Sequence, residues 1–142
     1  MENKNKKLST QLVLNAYRAG LFPMAENSNT SEIFWVDPEV RGIIPLDKFH
    51  ISRSLKKLLR KTPYNIKFNY NFEQVIQACA EQTEQRNETW INQTIIAAYS
   101  ELFKQKCAHT VECWVDGALA GGLYGLTIGG AFFGESMFSK RP

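Results

Sequence analysis

The sequence predicts an α+β fold, and three observations predict it. Apolar residues recur at spacings of three and four through much of the chain up to Leu102. From Val111 they alternate instead, and seven of the nine glycines crowd between Gly117 and Gly134. Helices followed by an antiparallel meander is the α+β order. The stretch from Gly117 to Phe133 carries no charge and approaches the length of a membrane span, but glycine that dense spoils a helix and suits turns and bulges. It is read as sheet. At 142 residues with 44% hydrophobic and 12% aromatic content, the chain is too apolar to be disordered. It has material for one domain or two small lobes sharing a core.

The elements follow in order. Thr10 can cap a helix running to about Ala19, with Leu12, Val13, Ala16 and Tyr17 inward and Gly20 as its stop. Leu21-Phe22-Pro23 is read as a turn, the polar run Glu26 to Glu32 as a loop, and Ile33 to Val36 as a short extended segment ended by Asp37-Pro38. Gly42 to Leu46 is a second extended piece, confined to an edge by Pro45. A helix from Ser52 precedes Tyr64, Ile66 and Phe68, which alternate with polar residues at the period of a half-buried strand. Asn71 caps a helix carrying Phe72, Val75, Ile76 and Cys79. The charged loop Glu81 to Glu88 leads to Trp90, and a helix from about Asn92 presents Ile95, Ala98, Tyr99 and Leu102. Val111, Cys113 and Val115 then alternate up to Asp116-Gly117, a dipeptide favoured in type I′ hairpins. Leu119 to Leu126 returns, Thr127 to Gly130 turns, and Ala131 to Phe138 forms the third strand.

Charge is concentrated. Lys48, Arg53, Lys56, Lys57, Arg60 and Lys61 lie in one segment without an acid, while the whole chain carries only +3, so the remainder is mildly acidic. On a helix from Ser52 the bases at 53, 56, 57 and 60 share one face and Leu55, Leu58 and Leu59 take the other. The leucines are expected to anchor the helix to a core. The bases fit either a solvated face or a polyanion such as RNA, and no glutamate is spaced to pair with them within the helix.

Several chemistries are excluded by motif. The chain has no P-loop, GxGxxG, HExxH or GxSxG. His50 and His109 have no cysteine at a zinc-ligand spacing, so both are read as structural, with no metal and no cofactor. Cys79, Cys107 and Cys113 form no CxxC pair, and MENKNKKLST lacks a signal peptide's apolar core; a cytoplasmic setting is expected. Two segments stand apart. Trp90, beside polar residues, can stack a base or serve as core or lid. In Phe132 to Phe138, alternation places Phe133, Glu135 and Met137 on one face, and a carboxylate among apolar strand residues is costly unless paired. Glu135 is therefore the best candidate for a site residue, with a salt bridge as the alternative.

Four strings now carry a resemblance: Ala16-Tyr17-Arg18-Ala19-Gly20-Leu21-Phe22-Pro23, His50-Ile51-Ser52-Arg53-Ser54-Leu55, Thr89-Trp90-Ile91 and Gly134-Glu135-Ser136-Met137-Phe138-Ser139. With Gly121-Gly122-Leu123-Tyr124-Gly125, in this order and spacing, the chain from Ser9 onward resembles the leucyl/phenylalanyl-tRNA–protein transferases. The resemblance implies a cytoplasmic, ribosome-independent aminoacyltransferase, expected to act as a monomer. It moves leucine or phenylalanine from aminoacyl-tRNA to the N-terminal Arg or Lys of a protein, marking that protein for N-end rule degradation. The implied fold is a small N-terminal lobe, residues 1–39, beside a GNAT-like acyltransferase domain, residues 40–142.

By the same resemblance Arg53, Lys56, Lys57, Arg60 and Lys61 form the tRNA surface, and Trp90 stacks on the 3′-terminal adenine. Met24 stands where other members place a second, flanking tryptophan. Leu123, Phe132 and Met137 wall the pocket for the aminoacyl side chain, and Glu135 lies beside the ester. Family members continue past the Met-Phe-Ser segment with an Asp-x-Gln segment that orients the attacking amine, and these 142 residues do not contain it. The expectation is thus an incomplete transferase domain with no catalytic residue of its own, and the alternative is a truncated, inactive product that keeps partial tRNA binding.

Overall fold

The computed structural model describes residues 7–141. Residues 1–6, the polar start of the chain, and Pro142 lie outside them. Among the described residues four α-helices and two antiparallel sheets build an α+β fold, as the sequence predicts.

Helix α1, Thr10–Arg18, starts one residue after Ser9, whose side chain accepts the Leu12 N–H at 3.1 Å. Ser9, not Thr10, is the cap. Val13, Ala16 and Tyr17 are buried while Leu12 faces solvent, against expectation, because it lies a quarter-turn off that stripe. Phe22–Met24 is strand β1 and not a turn; it pairs with β2, Phe34–Val36, with Pro23 opposite Trp35. Gly42 to Leu46 forms no strand. Ile43 and Ile44 stand exposed without a pairing partner, and a single 3-10 turn, Leu46–Lys48, follows.

Helix α2, Arg53–Lys61, is capped by Ser52, and strand β3, Asn65–Phe68, follows it. Helix α3, Phe72–Ala80, is capped by Asn71 and helix α4, Gln93–Lys104, by Asn92. Strands β4, Ala108–Val115, β5, Ala118–Ile128, and β6, Ala131–Ser139, complete a four-stranded sheet in the order β3-β4-β5-β6. The β4–β5 turn has positive φ at both Asp116 (50°) and Gly117 (77°), as a type I′ turn requires.

Helices α3 and α4 pack on one face of this sheet, and α1 joins through α4. Tyr99, Tyr124, Ile76, Ile95, Leu102 and Leu126 are fully buried between them. Burial shows which sequence alternation faces the core. On β4 it is Ala108, Thr110 and Glu112, whereas Val111 and Cys113 belong to the opposite, open face. Ile66 and Phe68, paired with Cys113 and Val111, share that open face, and Phe68 is 70% exposed. The expected half-buried strand is thus turned with its apolar side outward. The leucines of α2 also find no core, since Leu55, Leu58 and Leu59 are between 41% and 51% exposed.

Candidate functional site

The site depends on one irregularity in β6. Gly125 pairs with Gly134 but Tyr124 pairs with Ser136, so Glu135 is an extra residue, a β-bulge. The bulge breaks the simple alternation expected from the sequence. Before it Phe133 faces the helices opposite buried Leu126; after it Ser136 and Phe138 take that side, opposite Tyr124 and Gly122. Phe132 and Met137, of opposite parity in the sequence, thereby fall on one face. Met137 pairs directly with Leu123, and Phe132 pairs with Thr127 four pairs along the register. Met137 no longer shares a face with Phe133, which corrects the alternation read from the sequence.

Phe132 reaches back over the strand. A side-chain carbon placed on Gly125 would meet the Phe132 ring at 2.5 Å and the Phe133 carbonyl oxygen closer still, so only glycine leaves room for the ring. The result is an open apolar shelf of Leu123, Phe132 and Met137, the last two 48% and 69% exposed.

The bulge also aims Glu135. Burial pushes its carboxyl up to about 7, and the Tyr17 hydroxyl and Arg41 guanidinium draw it partly back. The hydroxyls of Tyr17 and Tyr99 hydrogen-bond each other; burial, then the charge of Glu135, holds the Tyr99 phenol far above its ordinary range although the Tyr17 hydrogen bond draws it partly back, and burial, Tyr99 and Glu135 together hold Tyr17 far above it. Tyr124 lies edge-on to Tyr99 with ring centroids 5.5 Å apart, and its buried hydroxyl has no hydrogen-bond partner among the described residues. Arg41 spans two elements, its guanidinium carbon 4.8 Å from the Phe22 ring centroid and 5.8 Å from that of Phe133. Its side chain thus links β1 to β6 beside Glu135.

Met24 and Trp90 are brought into one neighbourhood. The Ala25 N–H donates to the Trp90 carbonyl oxygen at 3.0 Å, and Trp90 is half-buried against the core. Asn92 supports the segment: its Oδ1 accepts the Ile95 N–H at 2.9 Å to cap α4, and its Nδ2 donates to the Thr30 carbonyl at 2.8 Å. The loop before Trp90 is tied down by Arg86, which donates to the carbonyls of Cys79 and Glu81, both at 2.8 Å.

Arg53, Lys56, Lys57, Arg60 and Lys61 all lie exposed on α2, and none forms an ion pair with a described acidic residue. This stripe is a surface of uncompensated positive charge, separate from the Glu135 cluster in the contacts it makes. His109 bridges Asn69 (3.1 Å) and Thr127 (3.0 Å) across the open face. Burial pushes the Cys79 thiol up to about 11, which suits packing and not nucleophilic chemistry. Among the described residues no group of three or more His, Cys, Asp or Glu side chains could hold a metal, and no helix is long and apolar enough to cross a membrane.

Sequence reasoning missed Glu112, because alternation of Val111, Cys113 and Val115 points to the wrong face. The carboxylate is fully buried and accepts four hydrogen bonds, from the N–H groups of Tyr70 (3.1 Å) and Asn71 (2.8 Å), the Thr110 hydroxyl (2.7 Å) and the Trp114 indole (3.0 Å). The signal available was an acid inside an otherwise apolar strand, the same one that singled out Glu135.

Two family models match the chain. Residues 6–39 match the leucyl/phenylalanyl-tRNA protein transferase N-terminal domain, and residues 43–142 match leucyl/phenylalanyl-tRNA protein transferase. A carboxyl poised near neutrality, an apolar shelf and an exposed cationic helix are therefore found on a chain that belongs to the leucyl/phenylalanyl-tRNA protein transferase family.

Proposed function

We propose that this chain transfers leucine or phenylalanine from aminoacyl-tRNA to the N-terminal Arg or Lys of a protein in the cytoplasm, feeding N-end rule degradation. In this reading the bases of α2 hold the tRNA backbone, and Trp90 stacks the terminal adenine with Met24 packing nearby. The aminoacyl side chain rests on Leu123, Phe132 and Met137. Residues 1–39 act as a lobe that completes the site from the α1 and β1 side, and residues 40–142 form a GNAT-like acyl-transfer domain.

The observation that carries the reading is the bulge at Glu135. It gathers three apolar residues on the open face of edge strand β6 while turning a carboxyl toward Tyr17 on the helix face, so in this reading the ester lies across the edge of the strand. An aminoacyl ester is already activated, so the task is to position an amine and manage its proton. The amine nitrogen attacks the ester carbonyl carbon, a C–N bond forms, and the C–O bond to the ribose breaks as the ribose oxygen takes up a proton. A carboxyl near 7 can accept the proton that the amine sheds, and the Tyr17–Tyr99 hydroxyl pair beside it keeps that carboxyl oriented. A shelf of this kind distinguishes leucine from valine by shape, on the order of 1–3 kcal/mol per methylene-sized misfit.

Incubation with tRNA carrying labelled leucine tests the reading. Label is expected on a protein beginning with Arg and not on the same protein beginning with Gly. Absence of label from both, or equal label on both, overturns it.

A further inference from the structure

A second built cluster lies on β3 and β4, outside the Glu135 site. Buried Glu112 fixes two aromatic residues at once, through the Tyr70 backbone N–H and the Trp114 indole N–H. The two rings meet edge to face, centroids 5.6 Å apart and planes at 90°. Into this corner projects the chain's own Lys67, its Nζ 3.7 Å from the Tyr70 ring centroid and 4.9 Å from that of Trp114. Lys67 opposes Glu112 in the β3–β4 register. The corner opens into a cleft of about 540 Å³ that Pro63, Asn65 and Asp116 also line.

Each part of this arrangement favours a positive charge. Aromatic faces attract cations, and a buried carboxylate behind the rings with Asp116 at the rim leaves a negative excess once Lys67 withdraws. The Trp114 ring is held from behind by its indole hydrogen bond, and the backbone that carries Tyr70 by its own, so the corner's base stays in place whichever cation fills it. The lysine is on a flexible stem and can leave. Strand β3 is an edge of the sheet, with no strand among the described residues paired on its outer side, so an extended peptide can lie beside it.

We propose that the Tyr70–Trp114 corner beside the β3 edge binds the basic side chain of a peptide, which enters by displacing Lys67. The cation site does not rest on the transfer reading above: β3 and β6 are opposite edges of the sheet, so the corner and the Glu135 site are separate.

The test follows the Trp114 indole N–H by NMR while arginyl-alanine amide, or its uncharged citrulline counterpart, is titrated into the intact chain. The arginine peptide is expected to shift that signal saturably and the citrulline peptide is not. Lys67→Met is expected to tighten arginine binding about tenfold, because the internal competitor is gone while its apolar stem remains. Tyr70→Leu, whose backbone N–H still reaches Glu112, is expected to abolish it. Equal response to both peptides, or no response in either the native chain or Lys67→Met, overturns the proposal. If Lys67→Met does not fold, Tyr70→Leu with unchanged arginine binding overturns it as well. A 3′-aminoacylamino-adenosine titrated into the same samples reports on the transfer reading separately: its binding without arginine binding sinks only the corner, and the converse sinks only the transfer site.

Discussion

The backbone N–H of Ala25 donates to the carbonyl oxygen of Trp90 at 3.0 Å, fastening the end of β1 to the segment that precedes α4. Met24 is therefore placed near Trp90 by the main-chain bond of its neighbour Ala25. Trp90→Ala should leave this bond intact and weaken binding of a 3′-aminoacylamino-adenosine about tenfold or more, the scale of one lost base stack. Met24→Trp should strengthen it by supplying a second aromatic plane. Calorimetric titration checks both, and unchanged affinity for Trp90→Ala removes the stacking role.

Glu135 sets the pH dependence. Its carboxyl is at about 7 in the folded chain against about 4.5 ordinarily, so the folded state binds the extra proton. Stability from this group is complete below about 4.5 and is lost as pH rises through about 7, amounting to about 3–4 kcal/mol at most at 1.4 kcal/mol per unit. Glu135→Gln should flatten that decline and leave the variant more stable than the native chain at pH 8, measured by urea unfolding. Transfer activity should run the opposite way in the native chain, rising through pH 7 as the carboxylate forms, and Glu135→Gln should lose that limb. A native stability curve that is flat between pH 5 and 8 contradicts the assignment.

The cationic stripe predicts a salt-dependent affinity. Lys56→Glu with Arg60→Glu should abolish tRNA binding at low salt without changing the circular dichroism spectrum, because both side chains are exposed and pair with no described acid. The native chain should show log K falling with log salt with a slope of about −3 to −4, as expected for about four phosphate contacts. Affinity at low salt that survives the double substitution places the RNA elsewhere.

Glu112 predicts a stability loss without a direct loss of chemistry. Glu112→Ala strands two backbone N–H groups and the Trp114 indole in the interior, a cost of about 3–5 kcal/mol. Urea denaturation measures it; a loss below about 1 kcal/mol means that the carboxylate is dispensable.

Much of the architecture was legible because its signals are local. Asn71 and Asn92 cap helices where the sequence puts them, and Asp116-Gly117 turns as that dipeptide predicts. What resisted reading is non-local. Whether Val111 or Glu112 faces the core depends on which side of the sheet α3 and α4 occupy, and period two alone is blind to that choice. The bulge at Glu135 is visible only once β5 supplies the opposite register, which is why Phe132 and Met137 could be grouped by resemblance and not by alternation. The leucines of α2 show the same limit: amphipathic spacing announces an apolar face but not a surface to receive it.

Gly125 gives the shelf a hidden dependency. The residue touches no substrate in the proposed reading, yet the orientation of Phe132 exists only because nothing projects from that strand position. A single methyl group at 125 would remodel the Leu123–Phe132–Met137 shelf from beneath, so under the proposed reading substrate preference would be governed partly by an atom that is absent.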